Sequence, residues 1–416
     1  MREVGYFELV RCNRAFRRFW FANIISMLGE WVNLIALFVL INTHTGSAFL
    51  IGVLLTVRMG AFAIFQPFIG MLADRWSRKW MMIFANGASV IIALSFLRVD
   101  GPEDMVWMIA LTGLMTFFHG IYMTAEMAAL PNIVADNELV TANTLGSASW
   151  STSLALGSAL GGFVVSVAGT DAAFIIDAAT FAIGLIVLLF IDMPQKTSAE
   201  MEGPLLRTGF ANIVSGWKRI FAEKRLLRIL FAKAAWNIAG GGLAGVFLVL
   251  AASEYSVNDF AMGIGLFYLA RGIGTGIGPL LARRWFKDRN RWPQLLGHFV
   301  TVSGLVYLVI SLTIHVSIWL TFALIIIAHS GSAASWVFST ILEQEWVEDE
   351  MRGRVFSADM LLLSAALAIS TSLAGWLVEY RGVGLSQGMV LFSIVMIIVG
   401  IAFTLWRPKS PTPIQA

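Results

Sequence analysis

The sequence predicts an all-α polytopic membrane protein, with twelve transmembrane helices in two pseudo-symmetric six-helix bundles. Three observations predict it. Apolar residues make up 58% of the 416 positions and charged residues only 13%, against ~25% charged in a soluble chain. Continuous apolar runs recur, each long enough for the ~20 residues a helix needs to cross a bilayer. The second half repeats the polar landmarks of the first at an offset of roughly 212 residues, the mark of a duplicated unit.

The apolar runs lie at roughly 19–41, 47–72, 79–97, 105–127, 142–168 and 172–192, and then at roughly 226–252, 258–282, 293–313, 316–342, 355–379 and 384–406. They are continuous, without the alternation of a barrel strand. The breaks Thr43–Gly46, Asp100–Asp104, Gly169–Asp171, Glu254–Asp259 and Gly382–Gly384 are turn-sized. One longer polar break starts at Met193. The organisation is therefore a bundle over 1–192, a linker over 193–225, and a second bundle with a short tail over 226–416. Within the linker Phe210, Ile213, Val214, Trp217, Ile220 and Phe221 recur at helical spacing, with Lys218, Arg219, Lys224 and Arg225 on other faces. That pattern predicts an amphipathic helix on the inner membrane surface, tethering the halves.

Basic residues set the orientation. With the N-terminus inside, the outer loops hold only Arg98 and Arg381, and the spans hold Arg58, Lys233 and Arg271. The rest of the 29 basic residues fall on the cytoplasmic side, so both termini are expected there. The first span is too long for a signal-peptide core and is expected to be retained.

Several function classes drop out. The single Cys12 gives neither a disulfide scaffold nor a cysteine metal site. The five histidines lack metal-ligand spacing, and no metal or cofactor is expected. A net charge of +3 without a basic face does not call for nucleic acid. Gly272-x-Gly274-x-Gly276-x-Gly278 lies inside a span with no preceding strand, so it is not a dinucleotide loop. No phosphate-cradling G-x-x-x-x-G-K-S/T loop occurs, and no nucleophile–base spacing suggests an enzyme.

The candidate site residues are the polar ones inside spans, which are costly there and mark function. Asn23, Ser26, Glu30 and Asn33 are spaced by three, four and three residues and share a helix face, expected to line a central cavity. Arg58, mid-helix in the next span, is the expected partner of Glu30. Burial favours the protonated acid and a nearby Arg the carboxylate, so changing surroundings would load and release a proton; a static packing pair is the alternative. Lys233, Asn237 and Arg271 are the counterparts in the second half. With Arg58 they suggest a cavity attractive to an anionic or catecholate-like solute. Asp177 either offsets one of these cations or makes a packing contact. Asp359 reads as structural, and His119 and His329 read as satisfied polar residues in helix contacts.

The repeat is visible in these landmarks. Leu130–Ala142 crosses an acidic turn (Asp136, Glu138), and Leu342–Arg354 does so again with Glu348 and Glu350. Arg58 followed by Gln66-Pro67 is echoed by Arg271 followed by Gly278-Pro279, and His119 by His329. Such duplicated halves with a site between them are a transporter architecture.

Gly70-Met-Leu-Ala-Asp74-Arg75-Trp-Ser77-Arg78-Lys79 resembles the signature loop between helices two and three of the major facilitator superfamily, with Ser77 in place of the second Gly. Ser26-x-x-Gly29-Glu30, Phe174-Ile-Ile-Asp177-Ala-Ala-Thr-Phe181, Ala270-Arg271-Gly272-x-Gly274 and Arg352-Gly353-Arg354-Val355 resemble the branch of enterobactin exporters and macrolide-efflux-type proteins. Gly157-Ser158-x-x-Gly161-Gly162 is similar to the helix-five element of antiporter members, Ser158 standing for Pro. The resemblance implies that Gly70 permits close packing at a gate. It also implies that Asp74 accepts N–H groups at the start of helix eleven, near Arg354–Ser357. Arg75, Arg78 and Lys79 would bind lipid phosphate or pair with acids such as Glu126.

The implied function is a secondary active transporter of the bacterial inner membrane. It would be a monomer, exporting a small amphipathic organic solute, siderophore- or drug-like, in exchange for protons by alternating access. An importer or lipid flippase of the same fold, and a receptor that no longer transports, stay open at this point.

Overall fold

A computed structural model describes residues 4–135, 137–193, 205–255 and 259–406, with the side chains of 62, 63, 66–68, 70–75, 205–210 and 349–350 outside the described set. Among the described residues there is no strand. The first helices are α1 (Tyr6–Cys12), α2 (Arg14–His44), α3 (Ala48–Arg75), α4 (Arg78–Ser95), α5 (Met105–Ile133) and α6 (Leu139–Leu189). Then follow α7 (Leu205–Ala222), α8 (Lys224–Gly241), α9 (Leu248–Tyr255), α10 (Phe260–Trp285), α11 (Trp292–Thr313), α12 (Ile318–Trp346), α13 (Asp349–Arg381) and α14 (Leu385–Leu405). Ten helices among the described residues are long and apolar enough to span a membrane, and α8 with α9 counts as one of them.

The 51-residue α6 is two spans in one run. Straight, it would reach ~75 Å at 1.5 Å per residue, more than twice a ~30 Å hydrocarbon core. It breaks at Gly169 (φ 81°, ψ 176°), inside the turn expected from the sequence. Gly46 (φ 61°) and Gly382 (φ 64°) end α2 and α13 in the left-handed conformation that only glycine adopts without strain. Lys79 and Arg18 donate to the carbonyls of Leu189 and Phe190 at the end of α6 (3.0 and 3.2 Å), where cations offset the helix dipole. Between α8 and α9, Gly242–Phe247 form a π turn, inside one continuous apolar run.

The chain divides into two compact units. The first holds Met1–Ser47, Val57–Arg207 and Tyr255–Ile273; the second holds Ala48–Thr56, Thr208–Glu254 and Gly274–Ala416. In the first, α2 packs most extensively on α6. Gly157 and Gly161 meet the α2 backbone at Leu28 and Val32, and Gly29 meets Asp177 and Thr180 beyond the break. A core of Leu9, Phe16, Phe19, Met82, Ala125 and Leu188 closes one end. In the second unit, Ile220, Leu230, Trp292, Phe338 and Val355 share one cluster, with Trp292 and Phe338 stacked at 4.0 Å. Large apolar side chains such as Val106, Leu280, Leu312 and Leu405 point outward, as they must where the surrounding solvent is lipid.

The repeat reappears as a docking pattern. In the first unit Asn13, the cap of α2, donates to Glu138 and to the carbonyl of Ile133 (3.0 and 3.1 Å), clamping the turn between α5 and α6. In the second unit Arg219 on α7 forks onto Glu348 in the turn between α12 and α13 (2.9 and 3.0 Å) and also holds Glu223. The Arg219 hydrogen bonds hold the Glu348 carboxyl below the usual carboxylate range. Ile220 is fully buried, whereas Val214, Lys218 and Phe221 stay exposed. The linker helix thus seats one edge on its unit and leaves a second, partly apolar edge free.

Candidate functional site

A cavity of about 430 Å³ lies within the first unit, walled by α2, α4, α5, α6 and Arg58 of α3. Helix α2 supplies its polar stripe: Asn23, Ser26 and Glu30 are on the wall and Asn33 is not. At 100° per residue, Asn33 has turned about 80° from Asn23. Asn33 is fully buried, one turn beyond Gly29, against which Asp177 packs. Asp177 is also fully buried and off the cavity wall.

Glu30 is the centre of a charged group. Its Oε1 lies 3.0 Å from His119 Nδ1 and 3.9 Å from Arg58 Nη2, and all three side chains are 16–28% exposed, enough to face the cavity. Arg58 is therefore beside Glu30, but the nearer partner is His119, which the sequence had suggested was a packing residue. His119 and Glu126, seven residues apart, lie two turns apart on one face of α5, but spacing along one helix carries no sign that this face meets α2. A carboxylate flanked by a fixed cation and an imidazole can exchange a proton, since the imidazole accepts one near neutral pH and the guanidinium does not release one.

A second network sits beside it. The amide of Asn23 donates to Glu126, and the Tyr122 hydroxyl donates to the Asn23 oxygen. Glu126 is thus tied to α2, while Arg78 donates to the Ala128 carbonyl at 2.6 Å. The remaining wall combines aromatic and sulfur side chains (Trp20, Trp31, Trp150, Met27, Met123 and Met127) with polar ones (Asn86, Ser89, Asn143, Ser147 and Ser149). Trp31 and Trp150 meet edge-on at 6.1 Å, and Trp20 donates to Ser149 at 2.8 Å. Flat rings and flexible thioethers fit large apolar bodies of varied shape.

The other expected residues are placed elsewhere. Lys233 is buried on Asp359 and 3.4 Å from Glu343, so its charge is matched by acids of its own unit and is not held open for an anion. Asn237 donates to the Leu363 carbonyl at 3.3 Å. Arg271 lies over the Tyr268 ring at 4.4 Å. None of these three is on the wall of the described cavity. Gly70, Asp74 and Arg75 lie at the end of α3, where their side chains fall outside the described residues. Of the helix-five glycines, Gly157 and Gly161 face α2, and Gly162 faces Ala261 and Gly265 of α10. His329 is buried and shares a hydrogen bond with the Tyr307 hydroxyl at 2.8 Å. Among the described residues no cluster of side chains has the make-up of a metal site.

Known proteins agree with this architecture. The chain is 22% identical to the putative bacilysin exporter BacE of Bacillus amyloliquefaciens over 361 residues, 85% of this chain and 86% of that one. It is 26% identical to the enterobactin exporter EntS of Salmonella typhimurium over 353 residues, 84% and 82% of the two chains. Among solved structures, a POT family transporter in complex with 5-aminolevulinic acid superposes with a TM-score of 0.76 at 12% identity, covering 97% of each chain. A bacterial homologue of the human lysosomal transporter Spinster gives 0.73 at 15% identity, covering 95% of this chain and 98% of that one. The model of the Major Facilitator Superfamily matches residues 19–342, and the chain belongs to that superfamily of multi-pass membrane transporters.

Proposed function

We propose that this transporter is a proton-coupled exporter of an amphipathic organic solute, working by alternating access in a bacterial inner membrane with both termini in the cytoplasm. The observation that carries the reading is the Glu30–Arg58–His119 group on the wall of the first unit's cavity. Ionised Glu30 is held by Arg58 and by the N–H of His119. A proton arriving at Glu30 removes that attraction, and a cationic group of the solute that pairs with Glu30 competes with the proton for the same carboxylate. Proton and solute thereby exclude one another at one place, which is the requirement for exchange. The tryptophan and methionine walls support a bulky apolar body with a small polar group. The exporter relatives support the outward direction, and the bias of basic residues supports the orientation. Asp74 and its neighbours are proposed as the gate and the helix-five glycines as packing points for the moving helices.

The test is flux into proteoliposomes holding the purified protein, over a panel of siderophores and drug-like amphiphiles, with and without a pH gradient. The reading requires at least one solute to be concentrated against its gradient, and the accumulation to collapse with a protonophore. Accumulation of solutes that ignores the pH gradient, or no flux despite binding, would contradict it.

A further inference from the structure

A second set of ionisable groups lies in the other unit. Lys233 of α8, Glu343 of α12 and Asp359 of α13 are almost wholly buried, at 3%, 3% and 0% exposure. The ammonium touches Asp359 Oδ2 and stands 3.4 Å from Glu343 Oε2, with the Trp336 ring 5.1 Å away. The two outer oxygens, Glu343 Oε1 and Asp359 Oδ1, are buried without a hydrogen-bond partner. Two carboxylates and one ammonium, all ionised, leave one negative charge with no solvent. An uncompensated buried charge is strongly unfavourable, and such a site takes up a proton instead.

Among the described residues, the other charged groups of the surrounding helices have partners elsewhere. On α8, Arg228 is turned to the Phe403 carbonyl. On α12, His329 is spent on Tyr307. At the start of α13, Arg352 binds the carbonyls of Gln344 and Val347, and Arg354 reaches Ser215. His298 of α11 is exposed, and α14 carries no titratable residue.

We propose that Lys233, Glu343 and Asp359 form a proton-binding site that holds one exchangeable proton between its two carboxyl groups. The contact of Lys233 with Asp359 keeps that carboxylate ionised and places the proton on Glu343. On release, the Glu343 O–H bond breaks, the proton passes to water, and the site is left with one negative charge. The neighbours of Glu343 give the route: Gln344, Glu345 and Glu348 are exposed at the same end of α12. The transporter then carries one proton site more than Glu30 provides.

The test is infrared spectroscopy of the purified full-length protein, reading the C=O stretch of protonated carboxyl groups through its shift in heavy water. Removing either acid leaves one carboxylate for one ammonium. Glu343→Gln and Asp359→Asn should therefore each lose the same single carboxyl from the band at neutral pH. Lys233→Met should gain one, because both acids must then be protonated. A band unchanged in both amide variants would overturn the proposal. So would a Glu343→Gln protein that fails to fold, since glutamine reproduces the protonated acid.

Discussion

Gly162 and Gly146 lie in the same helix and should respond to alanine with opposite signs. A Cβ at Gly162 would stand 2.8 Å from the Ala261 carbonyl oxygen and 3.0 Å from Gly265 Cα, both backbone atoms that no rotamer change can move. Carbon contacts are comfortable at ~3.5–4.0 Å, so the two helices must part by roughly 0.5–1 Å. Overpacking of this kind costs ~1–3 kcal/mol, and the helix gains up to ~1 kcal/mol from replacing glycine. The net is a loss of about 0–3 kcal/mol. At Gly146 a Cβ meets nothing within 4 Å, so the propensity gain of up to ~1 kcal/mol stands alone. Thermal unfolding of the purified variants in one detergent, followed by tryptophan fluorescence, reads the contrast. Gly146→Ala should match or outlast the wild type, and Gly162→Ala should unfold first. A Gly162→Ala protein as stable as Gly146→Ala would refute the close crossing of α6 and α10.

Tyr122→Phe removes the donor that Asn23 Oδ1 accepts from and should lower stability by ~0.5–1.5 kcal/mol, measured the same way; no loss would mean that water replaces the hydroxyl. Arg219→Ala should cost less than ~1 kcal/mol, because Glu348 is largely exposed and the pair is screened. Its sign with pH is fixed. Arg219 lowers the Glu348 carboxyl, so the stabilisation is complete above the unfolded carboxylate value of ~4.3 and disappears as pH falls through the lowered folded value. Unfolding curves for Arg219→Ala and wild type should therefore keep a constant gap above about pH 5 and converge in acid.

The fold was readable because lipid imposes a simple rule: every span must be a helix and nearly all its outer face apolar. Twelve apolar runs and the turns at Gly46, Gly169 and Gly382 follow from that rule. The helices overrun the apolar runs, as at Arg14–His44 and Met105–Ile133, because hydrogen bonding continues past the hydrocarbon edge. The site was readable only in part. Spacing along one helix placed Asn23, Ser26 and Glu30 on one face, and the cost of charge singled out Arg58. Contacts between helices have no signature in a single sequence. His119 against Glu30, and Glu343 with Asp359 around Lys233, therefore came only with three-dimensional packing. Lys233 shows the consequence: as an isolated intramembrane cation it suggested an anion site, whereas Asp359 and Glu343 of its own unit already surround it. The π turn at Gly242–Phe247 had a cue in Gly240, Gly241, Gly242 and Gly245, but glycine alone does not distinguish a π turn from close packing.

The central claim is that Glu30 couples proton and solute movement. Glutamine at position 30 copies the protonated acid in shape and removes the charge that Arg58 and His119 attend. Uphill, pH-driven transport in proteoliposomes should be abolished in Glu30→Gln, while binding and downhill exchange of the same solute persist. A Glu30→Gln protein that still concentrates solute with the pH dependence of the wild type would contradict the account and leave Glu30 a packing residue.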